Sequence, residues 1–280
     1  MVRRSADYLA RHGVQNARQE AETLLMRLLG ATRSQLYART EGLDSATARL
    51  LGRALCQRCR GTPLQYLTRR QQFLELPLDV TQGVFVPRPE TEVVALAAIE
   101  VIEPVEAPIV VDVGTGTGAL GLLVKRRRPD ASVMATDLSP AAVSLARSNA
   151  ERLGLDVEVW QGDLLEPLAS RLRGEVDLIV SNPPYVSVEE YESLPAEVRA
   201  EPYESLVGGT DVHRRLVREG VPWLRRGGWL VVEIGASQGP EVRELFEDQL
   251  SRVEVLADLA GRDRVVRGTR DEGESRSRST

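Results

Sequence analysis

Asn182-Pro183-Pro184-Tyr185 is the segment whose residue types are best suited to chemistry. It follows Val176-Asp177-Leu178-Ile179-Val180-Ser181, an apolar run that predicts a buried strand. Each proline fixes its own φ and donates no hydrogen bond, so the segment predicts a rigid polar cup at the strand end. The side-chain oxygen of Asn182 and a backbone carbonyl, that of Pro183, suit the two N–H donors of a planar NH2 group, while Tyr185 covers its face. Asn182, Pro183 and Tyr185 are therefore the candidate catalytic residues, and Pro184 completes the candidate substrate contacts. The plainer reading of the same four residues is a Pro-rich turn.

A second constellation lies upstream. Val110-Val111-Asp112-Val113 leads into Gly114-Thr115-Gly116-Thr117-Gly118. Glycines there let the chain turn sharply and let a ligand approach the backbone, and the helix that follows offers its free N–H groups. Asp137, at the end of the next expected strand, suits a carboxylate accepting from two ribose hydroxyls. Residues 116–121 also spell G-x-G-x-x-G, the dinucleotide fingerprint, which is weak when it stands alone. Gly114, together with Asn-Pro-Pro-Tyr after the fourth strand, favours S-adenosyl-L-methionine over NAD.

These residues need a scaffold. From residue 108 the pattern alternates: strands at Ile109–Val113, Ser132–Asp137, Val157–Gln161 and Val176–Ser181, with helices at 119–128 and Pro140–Leu153, the second capped by Ser139. A helix at 212–224, a strand at 229–234, a helix at 240–249, a strand at 252–256 and a last, antiparallel strand at 264–266 complete it. Such alternation predicts an α/β fold with a mostly parallel sheet covered by helices. Residues 1–60 show a helical period, with Ala21, Leu24, Leu25, Leu28 and Leu29 on one face, and predict a small domain of four or five helices over 1–75. Residues 76–107 read as a linker with short strands around 73–78 and 83–87. The catalytic part is expected over 108–267, and the polar segment 268–280 is expected to be disordered.

Composition narrows the function classes. No run of the 280 residues approaches a membrane span, and the first residues lack the apolar core of a signal peptide, so the expected location is cytoplasmic. Residues 1–80 hold 13 Arg against 7 Asp or Glu, a balance of +6. The whole chain is −5, which leaves −11 for the remainder. An acidic catalytic part is a poor match for sequence-independent nucleic-acid binding, and no stable nucleic-acid or membrane partner is expected. Cys56 and Cys59 form a C-x-x-C in a helical stretch with no second ligand pair nearby, so no metal site is expected.

The combined motifs resemble the peptide chain release factor N5-glutamine methyltransferases, the HemK or PrmC family. The matching segments are Gly61-Thr62-Pro63-Leu64-Gln65-Tyr66, Phe85-Val86-Pro87-Arg88-Pro89-Glu90-Thr91-Glu92, residues 112–120, Asn182-Pro183-Pro184-Tyr185, Glu201-Pro202, Gly208-Gly209-Thr210-Asp211, Glu233-Ile234-Gly235 and residues 258–266. The resemblance implies a Rossmann-like class I methyltransferase with a seven-stranded sheet and a small helical N-terminal domain that helps to hold the substrate. It implies transfer of a methyl group from S-adenosyl-L-methionine to the glutamine amide of the Gly-Gly-Gln motif of class I release factors. It places Gly114, Thr115, Gly116, Thr117, Gly118, Asp137 and Asn182 at the cofactor, with Leu164 where some relatives carry an aromatic residue near the adenine. Phe85, Arg88 and Glu90 join residues 1–80 as an expected substrate-facing wall. Glu90, Thr91 and Glu92 either order the pocket or cap the helix that begins there. Arg69 and Val212 stand where glycine is common in the family. The alternatives are an adenine-N6 methyltransferase of DNA or RNA, which would present the same NH2 to the same cup, a glutamine methyltransferase of a ribosomal protein, and a cofactor-binding protein without catalysis.

Overall fold

A computed structural model describes residues 1–271. They divide into two compact units. The first comprises Met1–Arg70, Val80–Gln82 and Leu194–Glu201. Its N-terminal helices are α1 (Val2–Arg11), α2 (Ala17–Leu29), α3 (Arg33–Ala38), α4 (Ser45–Cys59) and α5 (Leu64–Thr68). Leu9, Ala21, Leu24, Leu25, Leu36, Leu51 and Leu55 form its core, with Leu28 and Leu29 partly buried beside them. A capping box of Thr32 and Gln35 opens α3, and Asp44 caps α4 by accepting from the Ala46 and Thr47 amides. Cys56 and Cys59 lie on α4 as free thiols. The short segment from residue 194 is tied to these helices by Arg58, whose guanidinium meets Glu20 at 2.5 Å and Glu197 at 2.6 Å.

The second unit begins with a hairpin of β1 (Arg70–Phe73) and β2 (Leu76–Asp79). In chain order there follow α6 (Thr91–Ile102), β3 (Ile109–Val113), α7 (Ala119–Arg127), β4 (Ser132–Asp137), α8 (Pro140–Leu153), β5 (Val157–Gln161) and β6 (Val176–Ser181). Next come α9 (Val188–Tyr191), α10 (Ala196–Arg199, within the first unit), α11 (Asp211–Arg215), β7 (Leu224–Glu233), α12 (Gly239–Glu247), β8 (Ser251–Ala257) and β9 (Asp263–Thr269). The seven-stranded sheet runs β5-β4-β3-β6-β7-β9-β8, with β9 antiparallel to both neighbours. The four parallel pairings lie between β5 and β7. Two apolar clusters cover the strands: one joins α6 and α7 through Val94, Ala98, Leu122 and Leu123, the other takes in Leu216, Trp223, Val242 and Phe246. Strand order reverses between β3 and β6, and in open α/β sheets the crevice beyond that point takes ligands. Val113 pairs with Ser181, so Gly114 and Asn182 leave the sheet at the same level.

Several boundaries differ from the expectation. The apolar run 73–78 is two strands joined by a tight turn at Leu74, whose φ is 46°, and the N-terminal stretch of the first unit runs to Arg70. Residues 83–87 form no strand: Pro87 and Pro89 have no N–H to give a ladder, and Val84 and Val86 are held by burial. The helix expected at 212–224 is α11 followed by a π turn and a 3-10 turn at Pro222. β9 carries on through Gly268 and Thr269, which pair with Leu230 and Trp229, so the tail does not begin at 268. The rest of the expected tail, 272–280, lies outside the described residues.

Candidate active site

Asn182 is half-buried, Pro183 buried, and Pro184 and Tyr185 half-buried at the end of β6. The Asn182 Nδ2 donates to the Thr91 hydroxyl at 3.1 Å. That bond fixes which way the amide faces, and it leaves Oδ1 to accept from a substrate. The Tyr185 hydroxyl donates to Glu233 Oε1 at 3.1 Å, and its carbonyl accepts from Gln238 Nε2 at 2.8 Å. Burial, reinforced by the Glu233 charge, pushes the phenol well above its ordinary value, so Tyr185 stays protonated. Gly208 backs the cup: its amide donates to the Val186 carbonyl, and a Cβ there would lie 2.4 Å from the Pro184 oxygen. Only glycine lets the strand end and this loop approach so closely. The Gly-Gly-Thr-Asp segment thus braces the cup from behind.

The glycine loop opens beside it. Gly114, Gly116 and Gly118 all have positive φ, at 71°, 56° and 88°. A Cβ at Gly114 or Gly116 would meet nothing within 4 Å, which leaves open space for a ligand against the backbone. Thr115 and Thr117 turn inward, at 6% and 2% exposure. Thr115 donates to Asp112 at 2.6 Å, so this pair can offer a ligand only its backbone. Asp112 also takes the Gly121 amide at 2.9 Å. The last glycine of the dinucleotide-like spacing therefore serves the buried Asp112. Burial raises the Asp112 carboxyl to about 6, against the pull of those two hydrogen bonds.

Asp137 ends β4 with Oδ2 accepting from the Gly116 amide and Oδ1 from the Ser139 amide, both at 2.9 Å. Burial raises its pKa, and the two amides oppose that rise. Each carboxylate oxygen keeps a second lone pair. An open glycine backbone beside an acceptor-only carboxylate fits the ribose hydroxyls and charged amino-acid end of S-adenosylmethionine. Leu164 is 8% exposed, packed in the core with Met134 and Ile179, and its carbonyl accepts from Thr136. It is a core residue first.

Phe85 and Arg88 stack, the guanidinium 5.2 Å from the ring centroid. Glu90 stands at the start of α6 without capping it by its side chain, and Glu92 accepts from the Leu74 amide. Helix capping is thus not what these carboxylates do. The residue missed by reading the sequence for chemistry is Glu233; it lay inside a quoted motif, as did Thr91, which was expected to order the pocket or cap the helix, but nothing in the linear spacing pairs either with the cup.

Residues 1–68 match the PrmC N-terminal domain, and residues 82–198 match the Methyltransferase small domain. The release factor glutamine methyltransferase of Moorella thermoacetica is 43% identical over 273 residues, covering 94% of this chain and 95% of that protein. That of Deinococcus radiodurans is 40% identical over 270 residues, covering 95% of each. Among solved structures, the 16S rRNA methyltransferase RsmC of T. thermophilus, in complex with AdoMet and guanosine, aligns with a TM-score of 0.55 at 22% identity, over 72% of this chain and 49% of that one. The hMettl16 catalytic domain in complex with an RNA hairpin aligns at 0.56 and 16%, over 79% and 82%. The two structures share the fold of the sheet and its helices. The near full-length identity to the curated relatives, and the match of the N-terminal helices, go further: the chain belongs to the family of release factor glutamine methyltransferases.

Proposed function

We propose that the protein transfers a methyl group from S-adenosyl-L-methionine to the side-chain amide nitrogen of the glutamine in the Gly-Gly-Gln motif of class I release factors. The observation that carries this reading is the Asn182 amide, oriented by Thr91 and level with the glycine loop at the switch point of the sheet. The cofactor supplies a sulfonium methyl group, a good electrophile. An amide nitrogen is a poor nucleophile because its lone pair is delocalised into the carbonyl. The work of this chain is therefore to position and to stabilise. Asn182 Oδ1 and the Pro183 carbonyl accept the two N–H bonds of the glutamine, which turns the nitrogen lone pair outward and stabilises charge developing on nitrogen. The protonated Tyr185 closes one side of the cup. Gly114, Gly116 and Asp137 hold the cofactor, and no general base is assigned.

Specificity needs contacts away from the reacting nitrogen, because a glutamine alone offers too few. We assign these to the helical unit and to the Phe85–Arg88 stack with Glu90. Arg49, Arg53 and Arg60 are exposed along one stripe of α4 and its cap, a surface suited to an acidic partner. The decisive experiment offers release factor, DNA and ribosomal protein in parallel to the protein with isotope-labelled cofactor, followed by peptide mass spectrometry. One added methyl on the release-factor glutamine is the expected result. Label on DNA or on ribosomal protein alone overturns the reading.

A further inference from the structure

Thr91 opens α6 at 2% exposure, and Glu233 ends β7 with no exposure at all. A carboxylate sealed inside an apolar sheet is costly unless it is partnered. Two hydroxyls face this one. Tyr185 donates to Oε1, and the Thr91 hydroxyl also stabilises the charge. Oε2 is buried with no hydrogen-bond partner. We infer that Glu233 is a positioning residue for the reaction: through Thr91 it sets the direction of the Asn182 amide, and through Tyr185 it fixes the wall of the cup. This inference rests on the proposed methyl transfer.

The oxygen and nitrogen of an Asn amide have nearly the same shape, so only hydrogen-bond partners choose between its two orientations. An ionised carboxylate can only accept. In this inference its charge draws the hydrogen of the Thr91 hydroxyl, which favours the ionised form, and the Thr91 oxygen is then left as an acceptor. The amide atom able to donate to it is Asn182 Nδ2, as observed at 3.1 Å. Asn182 Oδ1 is thereby reserved for the substrate NH2. A protonated Glu233 reverses the chain. It donates to Thr91, the Thr91 hydrogen turns to Asn182, and the amide flips to present its own NH2 to the substrate NH2, donor against donor.

The surroundings hold Glu233 between these two states. Burial raises its carboxyl to about 7, while Thr91, Tyr185 and the Arg264 guanidinium of β9 favour the charged form and Glu90 opposes it. Tyr185 is neutral. His213 of α11, whose Nε2 lies 2.8 Å from the Glu233 carbonyl oxygen, is kept neutral by burial. The functional form of Glu233 is the ionised one, so kcat rises with pH through its titration.

The test measures kcat and KM against pH for the full chain on release factor, with wild type, Glu233→Gln, Thr91→Val and Thr91→Ser in parallel, and cofactor affinity by calorimetry. Glu233→Gln and Thr91→Val should lose roughly 10- to 100-fold in kcat, the scale of a misplaced reacting group, with cofactor affinity unchanged. Glu233→Gln should abolish the acid limb of the kcat profile, and Thr91→Ser should restore the rate. Wild-type kcat in both disruptive variants, or an acid limb that survives Glu233→Gln, overturns the inference. Thr91→Val against Thr91→Ser decides it if the Glu233 variant does not fold. A wild-type protein that leaves release factor unmethylated overturns the functional reading instead, which separates the two failures.

Discussion

Asn182→Ala removes the oxygen proposed to accept from the substrate amide while leaving β6 and its pairing to β3 untouched. The fold should survive, and methyl transfer should fall by about 10²–10³, the usual loss for one preorganised electrostatic partner. A single-turnover assay that finds transfer within a few-fold of wild type would make the cup structural. Asp137→Ala removes the carboxylate aligned by the Gly116 and Ser139 amides. Cofactor affinity should weaken by about 1.5–3 kcal/mol, as for charged hydrogen bonds, and calorimetry showing no change would take Asp137 out of the site. Asn182 and the glycine loop were legible in the sequence because each is a contiguous run whose chemistry is local. The bonds that tie Thr91 and Glu233 to the cup were not, since Thr91 lies 91 residues from Asn182 and Glu233 lies 48 from Tyr185. Separations of that size are closed only by the sheet and by the helix packed on it.

At the scale of elements, the loop that braces the cup is as exacting as the cup itself. Gly208→Ala places a methyl against the Pro184 carbonyl, and one of them must move. The expected result is a kcat reduced about 10²-fold, the cost of a displacement near 1 Å, with cofactor affinity and secondary structure kept. Wild-type kcat in this variant would show that the loop yields without disturbing the cup. Strands β3, β4 and β6 matched their expected spans because a parallel sheet buried on both faces leaves largely apolar runs, while the edge strand β5 was legible by its alternation. The segments that misled have another origin. The turn at Leu74 interrupts an apolar run without glycine, and residues 83–87 alternate like a strand yet form none. Burial of single side chains imitates the period of a sheet wherever chain packs on a core in extended form.

For the molecule as a whole, charge and protons make two further demands. Reversing Arg49, Arg53 and Arg60 to Glu should slow association with release factor, and more so at low salt than at high, because steering by exposed charge is screened. Stopped-flow rates unaffected by salt would assign those arginines no part in docking. Asp112 and Glu233 titrate near 6 and 7 when folded, above the ordinary carboxylate values near ~4. Their folded forms hold protons that the unfolded chain has released, so their contribution to stability is full below about pH 4 and is lost as pH rises through 6 and 7. Glu233→Gln should flatten the decline of Tm between about pH 4 and 7, which thermal unfolding at several pH values will show. The charge split was legible in the sequence; the buried acids were not, because burial belongs to the fold. The clasp of Arg58 on Glu197 spans 139 residues. At ordinary elongation rates of about 5–20 residues per second, that partner leaves the ribosome on the order of ten seconds after Arg58. The five N-terminal helices are thus born first and finished late. Until residue 197 emerges, Glu20 alone balances Arg58, and the helical unit waits for a segment coded in the middle of its neighbour.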